Sequence, residues 1–187
     1  MPLTAPLYIR VLGDSWAQLG APVRALHATS STVRARGRLR IEHGRHVLAR
    51  VLARILRLPR PGVAADTRLV VAARADGEDW QRTFSGRRLD SRQYESNGSE
   101  LAERFGVLEL RFRLDESDGS LVYVQRGAAF VFGPVRLRIA ASWAPRVEAR
   151  EDPAGPTRVK VGVRVSLPGV GPLIAYDGII DVEDTRA

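Results

Sequence analysis

The chain has 187 residues, no cysteine, and 29 Lys and Arg against 21 Asp and Glu, a formal charge of +8. That length suits one domain with a sizeable core, and the lack of cysteine excludes disulfide staples, thiolate metal sites and thiol nucleophiles. Met1 to Arg10 lacks a basic start followed by an apolar run, and no segment is apolar for long enough to cross a bilayer as a helix, so a cytoplasmic protein is expected, with membrane-surface attachment left open.

A positive balance favours weak attraction to nucleic acid or anionic lipid. Lys160 is the only lysine, however, and an arginine bias in a chain rich in alanine, valine and glycine is read as the mark of a GC-rich genome.

In chain order, Leu12, Trp16, Leu19, Val23 and Leu26 fall at spacings of four and three, one apolar face of a helical segment over about residues 11–27 that should pack on a sheet. Gly20 and Pro22 predict a kink, or a first helix ending near Leu19 and a second with Pro22 in its first turn. From Val33 to Glu42 the period becomes two, with Val33, Ala35, Leu39 and Ile41 on one face and Arg34, Arg36, Arg38 and Arg40 on the other. The arginine row is read as a solvated or edge face rather than a phosphate-tracking groove.

A second helix is expected over about 45–58, stopped by Pro59, with Val47, Leu48, Val51, Leu52 and Ile55 packed on the core and Arg50, Arg54 and Arg57 outward. Its cationic face also suits an anionic membrane, but a surface helix on a core is the commoner source of such a pattern. His43 and His46 beside Glu42 match no paired-histidine metal motif, and no third ligand spacing is visible.

Antiparallel strands then follow over about 68–183: Arg68 to Ala75, Trp80 to Ser85, Arg88 to Tyr94, Val107 to Leu114, Leu121 to Arg126, Val135 to Ala141, Arg146 to Arg150, Val159 to Leu167, and Ile174 to Val182. Asp76-Gly77, Asn97-Gly98 and Asp118-Gly119 mark turns between them. Leu101 to Phe105 is ambiguous, and Gly127 to Pro134 has no dependable period. Helices first and consecutive strands afterwards predict an α+β fold: one domain with a strongly curved, barrel-like antiparallel sheet and two helical segments in the N-terminal third.

The distinctive chemistry lies between Leu69 and Leu114. Trp80, Arg82 and Phe84 share one strand face, so a cation sits between two aromatic rings. If that face is the inside of a curved sheet the guanidinium needs a carboxylate, carbonyls or water, and Glu103, between Leu101 and Phe105, is one candidate partner; alternatively Arg82 lies near a strand end and reaches solvent. No Gly-x-Ser-x-Gly elbow, phosphate loop or calcium loop accompanies them, and carboxylates such as Asp115, Glu116 and Asp118 sit in turns. No cofactor is expected.

Leu12, Gly13, Trp16, Leu19, Arg24, Leu26 and His27, then Trp80, Arg82 and Phe84, then Glu103, Arg104, Phe105 and Gly106, and finally Pro168, Gly171, Tyr176 and Gly178 occur in an order and spacing that resembles the bacterial domain-of-unknown-function family numbered 4166. Members of that family stand alone or are attached to a dinucleotide-binding module of the saccharopine dehydrogenase type, and the resemblance implies, as one option, a partner or ancillary role beside such an oxidoreductase, without supplying a reaction.

Three functions follow as expectations. The first is a non-catalytic module that binds a small hydrophobic or lipid-like molecule, with Trp80, Phe84 and Tyr176 in the wall and Arg82 with Glu103 at the polar end. The second is an accessory domain beside an oxidoreductase. An enzyme using Arg82, Glu103 and His27 ranks third, since no nucleophile or metal set declares itself, and specific nucleic-acid binding ranks last, since the arginine row has no interleaved aromatics.

Overall fold

Alternation of apolar and polar residues dominates the chain from Thr32 onward, and in the computed structural model, which describes residues 5–183, this stretch forms eleven antiparallel strands in one sheet. They are β1 (Thr32–His43), β2 (Gly62–Arg74), β3 (Gly77–Phe84), β4 (Arg87–Ser96), β5 (Glu100–Phe105), β6 (Leu108–Ser117), β7 (Ser120–Phe132), β8 (Val135–Ile139), β9 (Arg146–Pro153), β10 (Arg158–Leu167) and β11 (Gly171–Glu183). The hydrogen-bonded order is β6-β5-β4-β3-β2-β1-β11-β10-β9-β7-β8, and a further pairing of β6 with β7 closes ten strands into a barrel. Closure removes the free edges that so long a sheet would otherwise expose. Strand β8 stays outside the ring, paired only with the last third of β7.

The sheet curls tightly where β1 meets β11. A Cβ on Gly37 would stand 2.1 Å from the Ile179 carbonyl oxygen, and one on Gly178 would stand 2.1 Å from that of Arg38, so both positions need glycine. The arginine row of β1 points to solvent, but β1 is a central strand between β2 and β11 and not an edge.

One end of the barrel is shut. Helix α1 (Leu7–Leu12), a 3-10 turn (Gly13–Gln18) and helix α2 (Ala21–His27) cover it, with Pro22 in the first turn of α2. The predicted break at Gly20 is therefore present, but the first α-helix lies earlier than the spacing of Leu12, Trp16 and Leu19 suggests, and that spacing falls partly on the 3-10 turn. The Gly20 N–H donates to the Gly119 carbonyl at 2.8 Å, tying the helices to the β6–β7 turn. Leu7, Tyr8, Val23 and Leu26 are buried beneath them.

Helix α3 (Val47–Ile55) lies at the opposite end, packed on β11 and β1, and it reverses an expectation. Ala49 and Ala53 face the barrel and are buried, whereas Val47, Leu48, Val51 and Ile55 are exposed and Leu52 is half-buried. Small residues win the inward position because the helix sits close to the backbone: a Cβ on Gly44 would meet the Pro172 carbonyl at 1.7 Å and the Ala49 methyl at 3.1 Å. His46 caps this helix by accepting from the Leu48 N–H at 3.2 Å, and His43 Nε2 lies 2.7 Å from the Pro59 carbonyl.

Two segments resolve differently from their sequence patterns. Leu101 to Phe105 is strand β5, with Leu101, Ala102 and Glu103 buried. Gly127 to Pro134 is largely the upper half of β7; its period is hidden because the register slips between Arg111 and Phe112, leaving Arg126 as the extra residue of a β-bulge.

Candidate functional site

Alternation along β3 turns Trp80, Arg82 and Phe84 into the barrel. Arg82 Nη1 donates to Ser91 Oγ at 2.7 Å and Nη2 to Glu103 Oε1 at 2.8 Å, while the Ser91 hydroxyl donates to the same Glu103 oxygen at 2.6 Å. The guanidinium carbon lies 4.8 Å from the centre of the Trp80 ring. Burial pushes the arginine down, but Glu103, with Tyr176 and Tyr8, together more than offset this, and its pKa stands above the ordinary value. Arg82 is thus the paired arginine of a chamber wall.

Tyr176, on β11, places its ring 5.5 Å from that of Phe84. Burial raises its pKa to about 12 against the pull of Arg82, so the hydroxyl stays protonated. Among the described residues that hydroxyl has no hydrogen-bond partner, which leaves a donor and acceptor on the wall beside the unused N–H groups of Arg82.

A second polar cluster lies toward the shut end. Tyr8 donates to Gln93 Oε1 at 2.7 Å, the Tyr8 and Tyr123 hydroxyls are 3.1 Å apart, and Tyr123 donates to Glu151 Oε1 at 3.1 Å. Glu151 Oε2 lies 2.6 Å from His27 Nε2, and the His27 ring stacks 3.8 Å from that of Tyr8. Trp80 Nε1 donates to Glu78 Oε2 at 3.0 Å. Burial, with Glu151 next, pushes both Tyr8 and Tyr123 well up, so they remain neutral donors. Burial also raises Glu78, although His27 and the Trp80 N–H resist it.

Between these groups and the open end is a cavity of about 440 Å³. All five residues singled out from the sequence, Trp80, Arg82, Phe84, Glu103 and Tyr176, line it, and the rest of its wall is largely apolar, including Leu69, Phe105, Leu110, Val161, Val163 and Ile174. Leu56, Leu58, Pro145 and Val147 border its outer part.

The sequence reading missed Tyr8, Gln93, Tyr123 and Glu151. Gln93 and Ser91 carry a legible signal, the alternation of β4 opposite Trp80 and Glu78. Glu151 does too, as the residue after Val147 and Ala149 at period two on β9. Tyr8 has none, because its partners are 85 and 115 residues away.

The geometry defines a class first: a closed antiparallel β-barrel, plugged at one end, whose interior is an apolar chamber with a buried arginine–carboxylate pair on its wall. The family follows from the sequence match: the model of a domain of unknown function (DUF4166) matches residues 19–180, and the chain belongs to that family. Neither the curated proteins nor the solved structures contain a match.

Proposed function

We propose that the barrel is a non-catalytic binding module for one small hydrophobic or lipid-like molecule. The carrying observation is the chamber, whose volume of about 440 Å³ falls inside the range of about 300–1,000 Å³ typical of small-molecule sites. Its wall is largely apolar, with Arg82, Glu103 and Tyr176 converging at one place and Gln93, Tyr123 and Glu151 toward the shut end. An apolar body gains by leaving water, at roughly 25 cal/mol per Å² of buried surface.

The polar corner sets the orientation. Glu103 already neutralises Arg82 at 2.8 Å, so a ligand need not bring a full negative charge. A carbonyl or hydroxyl oxygen suits the remaining guanidinium N–H groups and the Tyr176 hydroxyl, while the rings of Trp80 and Phe84 flank the apolar chain. The reading is tested by native mass spectrometry of purified protein before and after solvent extraction. The expected result is an adduct of one small molecule per chain, removed by extraction and restored by adding the extract back. A bare chain mass that no extract or fatty acid alters would overturn it.

A further inference from the structure

The cavity opens beside two segments that expose apolar side chains. On one side, α3 and its continuation present Val47, Leu48, Val51, Ile55 and Leu56 to solvent. On the other, the β7–β8 hairpin and the following loop present Phe130, Phe132, Val135, Leu137 and Trp143, the last 78 % exposed. In the ring of ten strands, β11 and β1, which carry α3, stand three and four strands away from β7, so the two segments reach the mouth from different sides.

Register shows that the hairpin surface continues the cavity wall. Phe130 pairs with Leu108, which lines the chamber, and Leu137 pairs with Phe130; paired residues of an antiparallel ladder share a face. An uninterrupted apolar track therefore runs from the chamber out over this lip. On the other lip, Leu58 reaches the chamber because Arg57, at φ 52°, ends α3 in the left-handed conformation and turns the chain inward.

Charge is distributed in the same way. Residues 43–65 contain Arg45, Arg50, Arg54, Arg57 and Arg60 and no acid, and residues 119–147 contain Arg126, Arg136, Arg138 and Arg146 and no acid. These nine arginines exceed the formal charge of +8, for the remainder of the chain holds 20 Lys and Arg against 21 Asp and Glu. Among the described residues, Arg136 alone of the nine makes a salt bridge, with Glu109 at 2.9 Å.

We infer that the open end of the barrel docks on an anionic lipid bilayer, α3 and the β7–β8 hairpin settling their apolar side chains among the acyl chains while the arginines meet the headgroups. The surface fits a bilayer better than a protein partner because its apolar groups are spread over two lips of a rim and interleaved with cations that have no acidic counterpart in either segment. Among the described residues no helix is long and apolar enough to cross a membrane, and α3, with nine residues, would lie along the surface instead. The inference deepens the binding-module reading, on which it rests for its purpose: docking the mouth lets an apolar molecule pass between bilayer and chamber without entering water.

The test is flotation of the full chain with vesicles of phosphatidylcholine alone or mixed with phosphatidylglycerol, read together with the tryptophan emission of the chain and of its Trp143→Phe variant, whose difference reports Trp143 apart from Trp16 and Trp80. The wild type is expected to float with the anionic vesicles and only weakly with neutral ones, with a blue shift of the tryptophan emission. Replacing two exposed arginines, Arg50→Gln with Arg54→Gln, should lower partitioning roughly thirtyfold, about fivefold for each charge. Leu48→Asp with Val51→Asp should lower it at least as much, while both pairs keep the wild-type melting curve. Failure of the folded wild type to float, flotation that both pairs retain, or burial of Leu48 and Trp143 in a dimer that ignores vesicles would overturn the inference. An Ala149→Trp chain, with its chamber narrowed, should still float. Ligand binding without flotation therefore removes only the docking surface, and flotation without any bound ligand removes the chamber reading instead.

Discussion

The two ends of this barrel are built from the same ten strands yet solve opposite problems. At the shut end, α1 and α2 bury Leu7, Tyr8, Val23 and Leu26 completely or nearly so, and the Tyr8 hydroxyl and His27 Nε2 find partners in Gln93, Tyr123 and Glu151. At the open end, α3 buries only Ala49 and Ala53, with Leu52 half-buried, and leaves Ile55 68 % exposed, and the β7–β8 hairpin leaves four large apolar side chains in solvent. Large apolar groups left in water gain nothing for folding. The contrast teaches that the shut end supports the barrel, whereas the open end leaves large apolar side chains exposed among the described residues.

The largest expected effect breaks the wall between the two ends. Glu103→Ala strips the partner from Arg82 in a mostly buried site and should cost about 3–5 kcal/mol in denaturant unfolding. Pairing it with Arg82→Met removes the stranded charge as well, and most of the loss should be regained. If the single variant is as stable as the wild type, Arg82 has another route to solvent and the enclosed pair is wrong.

Next in size is a matched truncation at the two ends. Leu26→Ala, at a fully buried position, should lower stability by about 2–5 kcal/mol, while Leu48→Ala, at an exposed position of α3, should change it by no more than about 0.5 kcal/mol. Thermal melts of both variants decide it. Equal losses would mean that α3 packs against something within the chain and that the ends do not differ.

The smallest effect is a pH slope from Glu78. Burial raises its folded pKa above the ordinary carboxylate value, so between those two values the folded chain holds more protons than the unfolded one. Stability should therefore fall as pH rises through that window. Glu78→Gln keeps an acceptor for Trp80 Nε1 and should flatten this part of the profile. A wild-type profile that rises there, or a variant with an unchanged slope, would show that Glu78 is ionised at no cost.

Much of this was legible before any coordinates. Period-two alternation marks most strands, and it places Trp80, Arg82 and Phe84 on one face; Glu103 was one candidate partner for the arginine, and the structure makes the pairing. Local pattern carries that information because a strand face is set by neighbours two residues away. The orientation of α3 was not legible, since the same nine residues satisfy an inward leucine face or an inward alanine face, and only the closeness of Gly44 and Pro172 decides between them. The bulge at Arg126 erased the period of β7, and Tyr8 acquires its partners only through closure of the barrel. The charge asymmetry is written in the sequence, but it means nothing until the strand ends show that both acid-free segments reach the same rim.

The most direct check of the central claim is a titration of the purified chain with a fatty acid carrying a polarity-sensitive fluorophore, run beside Ala149→Trp and Val163→Phe, which narrow the chamber from paired positions on the neighbouring strands β9 and β10. The account requires saturable binding of one molecule per chain with a blue-shifted emission, weakened in both variants although they remain folded. Absence of saturable binding, or binding that both narrowed chains keep unchanged, would contradict a ligand inside the barrel.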